Sequence, residues 1–413
     1  MSTRPKLFYG WRMVGAACGL QFMLGAMLTQ SFGAYIAVLA DDKGWSKTSL
    51  SGAAALQSVE AAVLGPALGW LLDRFGPRAM VFSGVLIFGL AFILFSQIDS
   101  LGAFYACAVM MAVGASFCGY FPLTVALIQW FERFRARALA FSAMGLALGG
   151  VAVPLVAWSM HTHGWRATAF ASGVIAIVVG LPLAWMIRRR PEEIGETVDG
   201  LPPQPPAPST GGAAAPVAPE FSAAQALRTR AFWLLGLGHG FALLVVTAVN
   251  VHAITHMKEG LGYSVPSAAF VILLMTVGQV VGVMTAAAVG DRFDKRHVAA
   301  ACMLGHCVGL LLLAHATHPA QVMAFALLHG TAWGLRGPLM QAIRADYFGR
   351  NAIGMILGLS AVIVAAGQIA GPMVAGILAD LTGDYRTGFT ALALVAGAGS
   401  ALFLLTRRPV LPT

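Results

Sequence analysis

Long apolar stretches alternate along the whole chain with short segments that carry charge, Gly and Pro. Each stretch holds roughly 20 or more residues, enough for a helix to cross a hydrocarbon core of about 30 Å. Backbone groups in lipid must be hydrogen-bonded within the segment, and these stretches are too long for barrel strands, so they predict helices. We number them as spans 1 to 12: 12–39, 48–72, 79–97, 101–128, 136–160, 166–187, 231–255, 266–289, 297–316, 320–343, 352–379 and 387–405.

Composition agrees with an all-α membrane protein. Of the 413 residues, 58% are hydrophobic and 10% are charged, and the mean hydropathy is +0.78. Span 1 is too long for a secretory signal and eleven spans follow it, so we interpret it as a retained helix. The five cysteines fall within spans and show no metal-ligand spacing. We therefore expect no disulfide, no metal and no cofactor, and we expect the chain not to be an enzyme. No nucleotide-binding loop of the G-x-x-x-x-G-K type is present.

The distribution of basic residues predicts the topology. With the amino terminus in the cytoplasm, nearly all Lys and Arg residues fall on the cytoplasmic side, and the positive-inside rule then places both termini there. This also accounts for the net charge of +9 without nucleic acid as a partner. Arg336 belongs to neither side. The opposite side holds only Lys43, Lys47, Arg166, Lys258 and Arg386.

An internal repeat divides the chain. Residues 191–228 are rich in Pro, Ala and Gly and cannot bury a core, so we predict a cytoplasmic linker between an N-terminal half, 1–190, and a C-terminal half, 229–413. "DRFGPR" at 73–78 corresponds to "DRFDKR" at 291–296. Phe131 and Phe348 repeat at nearly the same offset, as do Arg166 and Arg386. These landmarks predict a duplicated six-helix unit.

The two repeated loops resemble the signature loops of the major facilitator superfamily, and the resemblance covers the whole chain. It implies twelve transmembrane helices in two pseudo-symmetric halves and alternating access to a central site. It also implies that the loops bias the protein toward the state closed on one side; alternatively, their arginines are only topology signals. The residues that carry the resemblance are Gly69, Asp73, Arg74 and Arg78 in the first copy and Asp291, Arg292 and Arg296 in the second.

Small-residue pairs add to the resemblance. Glycines four residues apart occur on spans 2, 5, 8 and 11, and they allow two helices to approach closely. In the superfamily these four spans form the interface between the halves, so we expect the glycines there; generic helix packing is the alternative. The pairs are Gly65 and Gly69, Gly145 and Gly149, Gly278 and Gly282, and Gly367 and Gly371.

Three further stretches, "FYGWRMV", "WFERFRARALAFSAMGLALGG" and "DYFGR", resemble the bacterial branch related to monocarboxylate and oxalate/formate carriers. That resemblance implies a multi-pass monomer in a bacterial inner membrane. Such carriers are expected to present charged binding residues on span 8. Here span 8 holds no charged residue, so their carboxylate-binding pattern is not transferred.

Apart from histidines, two ionisable residues sit well inside a span. A charge at the bilayer centre costs about 3 kcal/mol or more and normally faces protein or a water-filled cavity. Arg336 of span 10 shares a helix face with His329 and Trp333, and its planar donors suit a substrate carboxylate. Glu60 of span 2 is a candidate proton carrier, because burial and a nearby arginine act in opposite directions on carboxyl protonation. An internal pair between Arg336 and Glu60 is the alternative.

Tyr120 on span 4 and Asn250 on span 7 are weaker candidates for a polar cavity. The sequence thus predicts a secondary active transporter of a small organic anion, driven by a proton gradient or by exchange. A proton-antiport efflux pump for amphipathic or apolar compounds is the alternative. A non-transporting membrane sensor is disfavoured, since the linker and both tails are short for a signalling domain.

Overall fold

The computed structural model describes residues 8–45, 60, 63–201 and 220–411, and over these residues it contains helices and no strand. The predicted all-α fold is confirmed, and each predicted span is mainly helical over its described residues. The helices are α1 Tyr9–Leu24, α2 Phe32–Lys43, α3 63–75, α4 Pro77–Phe95, α5 Leu101–Cys118, α6 Tyr120–Trp130, α7 Arg135–Leu148, α8 Val153–Met186, α9 Ala223–Leu227, α10 Arg230–Glu259, α11 Val265–Val289, α12 Lys295–Ala314, α13 Pro319–Phe348, α14 Ile353–Thr382 and α15 Arg386–Leu405.

Nine segments of the described residues are long and apolar enough to cross a membrane. One of them, Arg135–Met186, contains both span 5 and span 6. Within it Gly164 has a φ of 82°, which interrupts the helix between the two spans and which side chains other than glycine rarely adopt. Most of span 2 lies outside the described residues. Span 10, which becomes α13, is long enough but too polar to be among the nine.

The chain separates into two compact units, Met1–Ala215 and Pro216–Thr413. In the first unit three spans depart from a regular α-helix near their middle. Span 1 contains a π-helical turn, Gly25–Thr29, and span 5 contains a 3-10 turn, Gly149–Ala152. Span 4 breaks at Gly119, between α5 and α6. In the second unit the helices α10 to α15 each run through their span without such a turn.

Glycines fix which helices touch within each unit. A side chain on Gly145 would collide with the Cys18 carbonyl of α1, and one on Gly282 would collide with the Thr331 carbonyl of α13. Gly371 stands in the same relation to the Leu244 carbonyl of α10. Three of the four predicted pairs therefore pack helices inside one half, which differs from the predicted place between the halves. The reason is that a glycine stripe accepts any helix that crosses it closely, and sequence spacing does not select which one.

Both described ends of the predicted linker are anchored. Asp199 accepts hydrogen bonds from the backbone N–H groups of residues 132–134, at 2.8 to 3.4 Å. Glu220 accepts from the backbone N–H groups of residues 350 and 351, both at 2.9 Å. These two loops are equivalent in the repeat, because they directly follow Phe131 and closely follow Phe348. One carboxylate thus binds the same loop in each unit.

Candidate functional site

Helix α13 carries two buried basic side chains that the sequence singled out, His329 and Arg336. His329 and Arg336 are seven residues apart, two turns on one helix face, and both are fully buried. Trp333 between them is half-buried. The helix continues through Pro338 without a break. Arg336 is among the largest side chains that the fold buries completely.

His329 is paired with a histidine from the neighbouring helix. The Nδ1 atoms of His306 on α12 and His329 on α13 lie 3.1 Å apart. The rings meet edge to face with centroids 4.5 Å apart, and the Phe325 ring lies 5.5 Å from that of His329. Both histidines are 0% exposed. Arg336, two turns further along α13, acts electrostatically on both rings.

A second buried arginine of the C-terminal unit is Arg344, which the sequence counted among the cytoplasmic basic residues without indicating that it is buried. Its side chain is 2% exposed, and it donates to the Met340 carbonyl at 2.9 Å and the Leu235 carbonyl at 3.4 Å. It also contacts Ser360 Oγ at 2.7 Å and His239 Nδ1 at 3.3 Å. Arg344 therefore joins α13 to α10 and α14. In the sequence, only the spacing of eight residues between Arg336 and Arg344 indicated that Arg344 lies near the same face of α13.

The acidic residues of the C-terminal unit lie away from this core. None occurs in the middle of a helix, so the buried part of the unit is electropositive. The seven are Glu220 before α9, Glu259 at the end of α10, Asp291 and Asp294 between α11 and α12, Asp346 near the end of α13, Asp380 near the end of α14 and Asp384 before α15.

Glu60 lies in the other unit, close to the break in span 4. Its Oε2 accepts a hydrogen bond from Ser116 Oγ at 3.3 Å. Ser116 stands three residues before Gly119, and Tyr120 begins the helix that follows the break. The structure thus brings Glu60 near the same discontinuity as Tyr120, whose side chain is half-buried. Asn250 of α10 is exposed instead.

The first signature loop is tied to the end of α8. Gly69 is buried in α3, and Gly76 turns the chain with a φ of 79°. Arg189 donates to the Asp73 carbonyl at 2.8 Å, and the Arg78 guanidinium lies 4.3 Å from the centre of the Trp185 ring. Arg74 instead stacks on the neighbouring rings of Trp70 and Phe75.

The second loop, which contains Asp291 and Arg292, makes the equivalent connection in its own unit. Arg296 Nη1 donates to the Thr406 carbonyl after α15 at 2.9 Å. Asp294 accepts from the Arg296 backbone and guanidinium at 2.9 and 3.0 Å. Burial acts to raise the pKa of Asp294, but these hydrogen bonds and the Arg296 charge lower it overall. In both units the last arginine of the loop thus reaches the end of the sixth span.

Among the described residues, no group of three His, Cys, Asp or Glu side chains is arranged to hold a metal ion. The fold and its repeated loops define a multi-pass membrane protein built from two related halves. Residues 17–251 and 235–413 each match the model of the Major Facilitator Superfamily. The chain belongs to this superfamily, a family of membrane transporters that bind small molecules and are not enzymes.

Curated relatives and solved structures agree with this assignment. The chain is 24% identical to monocarboxylate transporter 13 of Bos taurus, over 81% of this chain and 74% of the relative. It is 28% identical to the membrane sensor protein UhpC of Salmonella typhimurium, over 82% and 78%. The crystal structure of the E. coli fucose:proton symporter FucP superposes with a TM-score of 0.72, covers 98% of this chain and 100% of FucP, and is 15% identical. That structural likeness confirms the fold.

Proposed function

We propose that this transporter moves a small organic anion of the carboxylate type by alternating access, with a proton or in exchange. The observation that carries the proposal is Arg336, fully buried in α13 of the C-terminal unit, whose acidic residues all lie at or beyond helix ends. A guanidinium remains charged in any pH range that a cell meets, and its fork of donors matches the two oxygens of a carboxylate. Burying such a charge in a span is unfavourable, so binding of the substrate is the simplest reason for the protein to keep it.

The relatives support the same substrate class. Two mammalian monocarboxylate transporters 13 match the chain at 24 and 26% identity, and the chain covers more than two thirds of each. We place it in the branch that resembles monocarboxylate and oxalate/formate carriers, as a monomer in a bacterial inner membrane with both termini in the cytoplasm. The strong cytoplasmic bias of Lys and Arg supports that orientation.

In this proposal Arg336 binds the substrate carboxylate, flanked by His329 and Trp333. Glu60, Tyr120 and Asn250 line the path, and Glu60 either carries a proton or pairs with Arg336 in one conformational state. The signature loops gate the cytoplasmic side. Their within-unit contacts are compatible with that role, because each loop joins the second and third spans of its half and also contacts the end of the sixth.

Uptake into proteoliposomes tests the proposal. The purified full chain is reconstituted and offered radiolabelled acetate, lactate, pyruvate, oxalate and succinate, with and without an inward proton gradient. We expect at least one anion to enter, Arg336→Ala to reduce its uptake more than about tenfold, the effect of one lost charge-assisted contact of about 1.4 kcal/mol or more, and Arg336→Lys to reduce it less.

Lys258→Ala is the matched control, because it also removes one cation but at an exposed site; its uptake should equal that of the wild type. If no anion enters, or if Arg336→Ala transports as well as Lys258→Ala, the proposed substrate class is wrong.

The likeness to UhpC favours a second candidate, a membrane sensor that binds its ligand without carrying it. The same liposomes distinguish the two functions. A sensor binds an anion at equilibrium, with binding lost in Arg336→Ala, yet shows neither uptake nor counterflow.

A further inference from the structure

His306 and His329 are both fully buried in the C-terminal unit, and the proposed function gives this pair no part in proton coupling. We propose that this pair binds the coupling proton, and that an anion on Arg336 makes the proton bind more tightly. The inference rests on the proposed function and deepens it, since it assigns the coupling ion to residues on α12 and α13 and makes the transporter a proton–anion symporter.

Proton counting shows that the pair has one vacant position. Each neutral imidazole carries a single N–H. At 3.1 Å the two Nδ1 atoms share one hydrogen, so one ring donates it and the other accepts it. The accepting ring then holds its own proton on Nε2, and the donating ring has a bare Nε2. Both Nε2 atoms are buried and have no hydrogen-bond partner among the described residues.

A proton that enters at the bare Nε2 leaves the pair intact. The donating ring becomes an imidazolium, and its Nδ1–H still points to the Nδ1 of the neutral ring. The bond is now charge-assisted and therefore stronger. No covalent bond breaks and no acceptor loses its donor. The pair can therefore be neutral or carry one positive charge while the Nδ1···Nδ1 hydrogen bond keeps the same geometry.

The surroundings of the pair decide when the charge is tolerated. The elements packed against α12 and α13 bring few titratable or charged groups to it. Helix α11 carries none, α15 carries only Arg386 at its first residue, and α14 carries only Asp380 near its end.

Helix α10 and the pair's own helices carry the rest. On α10, His239 lies within the helix, whereas His252 and His256 bond to the carbonyls of Pro372 and Leu313. The charged residues of α10 lie at its two ends: Arg230, Lys258 and Glu259. On the pair's own helices, Cys302 and Arg336 lie nearby, and the remaining groups are Lys295, Arg296, His297 and Cys307 of α12 and Arg344, Asp346 and Tyr347 of α13.

Arg336 is therefore the cation that dominates the field at the pair. Two like charges in a poorly solvated interior repel strongly, so the guanidinium opposes the imidazolium. A carboxylate bound to Arg336 neutralises that repulsion and favours the proton. By linkage the proton favours the carboxylate to the same extent. Anion and proton thus bind and leave together.

The test separates coupling from folding by comparing two transport modes. His306→Asn places an amide near the position of Nδ1, so His329 retains a partner. The amide cannot take the proton itself, and its oxygen accepts an imidazolium N–H more weakly than an imidazole nitrogen does, so the variant weakens proton binding at the pair. His315→Asn is the matched control, because this histidine is exposed at the end of α12. Each full-length variant is reconstituted and given radiolabelled lactate or oxalate, whichever the wild type takes up.

We expect His306→Asn to keep counterflow exchange within about twofold of the wild type and to lose at least about tenfold of the accumulation driven by a proton gradient, which equals one pH unit of driving force. The wild-type affinity for the anion should rise as pH falls between about 8 and 5, whereas His306→Asn should show a weaker dependence on pH. His315→Asn should match the wild type in every assay.

The proposal is overturned if His306→Asn exchanges normally and still accumulates the anion, or if it loses exchange and accumulation equally. It is also overturned if accumulation fails in Glu60→Gln but not in His306→Asn, which moves the proton to the other unit. Wild-type uptake that does not respond to the proton gradient refutes the coupling alone. The absence of any anion transport refutes the proposed function, and this inference with it.

Discussion

Replacing Gly334 with alanine is expected to force α13 away from α11. A Cβ on Gly334 would collide with the carbonyl oxygen of Gln279 and would lie 2.8 Å from its carbonyl carbon and 3.0 Å from its Cα. These are backbone atoms, so no side-chain rotation relieves the contact. Carbon atoms pack at about 3.5 to 4.0 Å, and the two helices must therefore separate by at least about 0.7 Å at this point.

The size of the effect follows from that separation. A gap of about 0.5 to 1 Å removes about a quarter to a half of the dispersion energy of each opposed contact. Overpacking of a well-packed core costs about 1 to 3 kcal/mol. In a unit of about 200 residues, 1 kcal/mol moves Tm by about 2 to 4 °C. A cost of about 2 kcal/mol thus lowers Tm by about 4 to 8 °C.

Gly337→Ala provides the matched comparison, because it adds the same methyl group to the same helix three residues further on. Outside its own helical turn, no described atom lies within 4 Å of a Cβ at Gly337. There the change should be neutral or stabilising by up to about 1 kcal/mol, the difference in helix propensity. Both variants are melted in detergent with tryptophan fluorescence as the readout. A Tm for Gly334→Ala equal to or above that of Gly337→Ala refutes the reasoning.

Two further predictions concern anchoring side chains. Arg344→Lys should destabilise the protein by about 1 to 3 kcal/mol, because one ammonium cannot reach acceptors on three helices as the guanidinium does. The measurement is Tm, with Arg230→Lys at an exposed site as the control. Equal Tm values for the two variants contradict the prediction. Asp199→Ala should speed amide hydrogen exchange at residues 132–134 by about fivefold, the effect of about 1 kcal/mol per lost bond. Mass spectrometry measures that exchange with Glu193→Ala as the control, and unchanged rates in Asp199→Ala contradict the anchoring role.

The sequence predicted the signature loops and the repeat, and the structure adds what they touch. Arg78 and Arg296 occupy equivalent positions, and each reaches the end of the sixth span of its own half. The motif revealed that the arginines correspond, because equivalent loops keep equivalent residues. It did not reveal the partners, Trp185 and Thr406, since these lie more than 100 residues away along the chain.

Other features escaped the sequence for a similar reason. Arg344 looks like one more cytoplasmic arginine near a helix end, and only the position of α10 and α14 around it shows that it is buried. The break at Gly119 and the turns at Gly25–Thr29 and Gly149–Ala152 fall in apolar stretches whose hydropathy is the same with or without a regular helix. Gly25 and Gly149 approach closely, so these two turns pack against each other.

The chain's hydropathy, charge asymmetry and repeat were enough to determine an all-helical membrane protein of two related halves, and to single out Arg336 and Glu60. Those properties are local or periodic, and a bilayer converts them directly into helices and topology. The tertiary structure alone decided that His306 meets His329, that Arg344 joins three helices and that the glycines pack within each half. Such contacts depend on how each helix is rotated about its own axis and against which neighbour it packs, and a pattern along one helix does not contain that information.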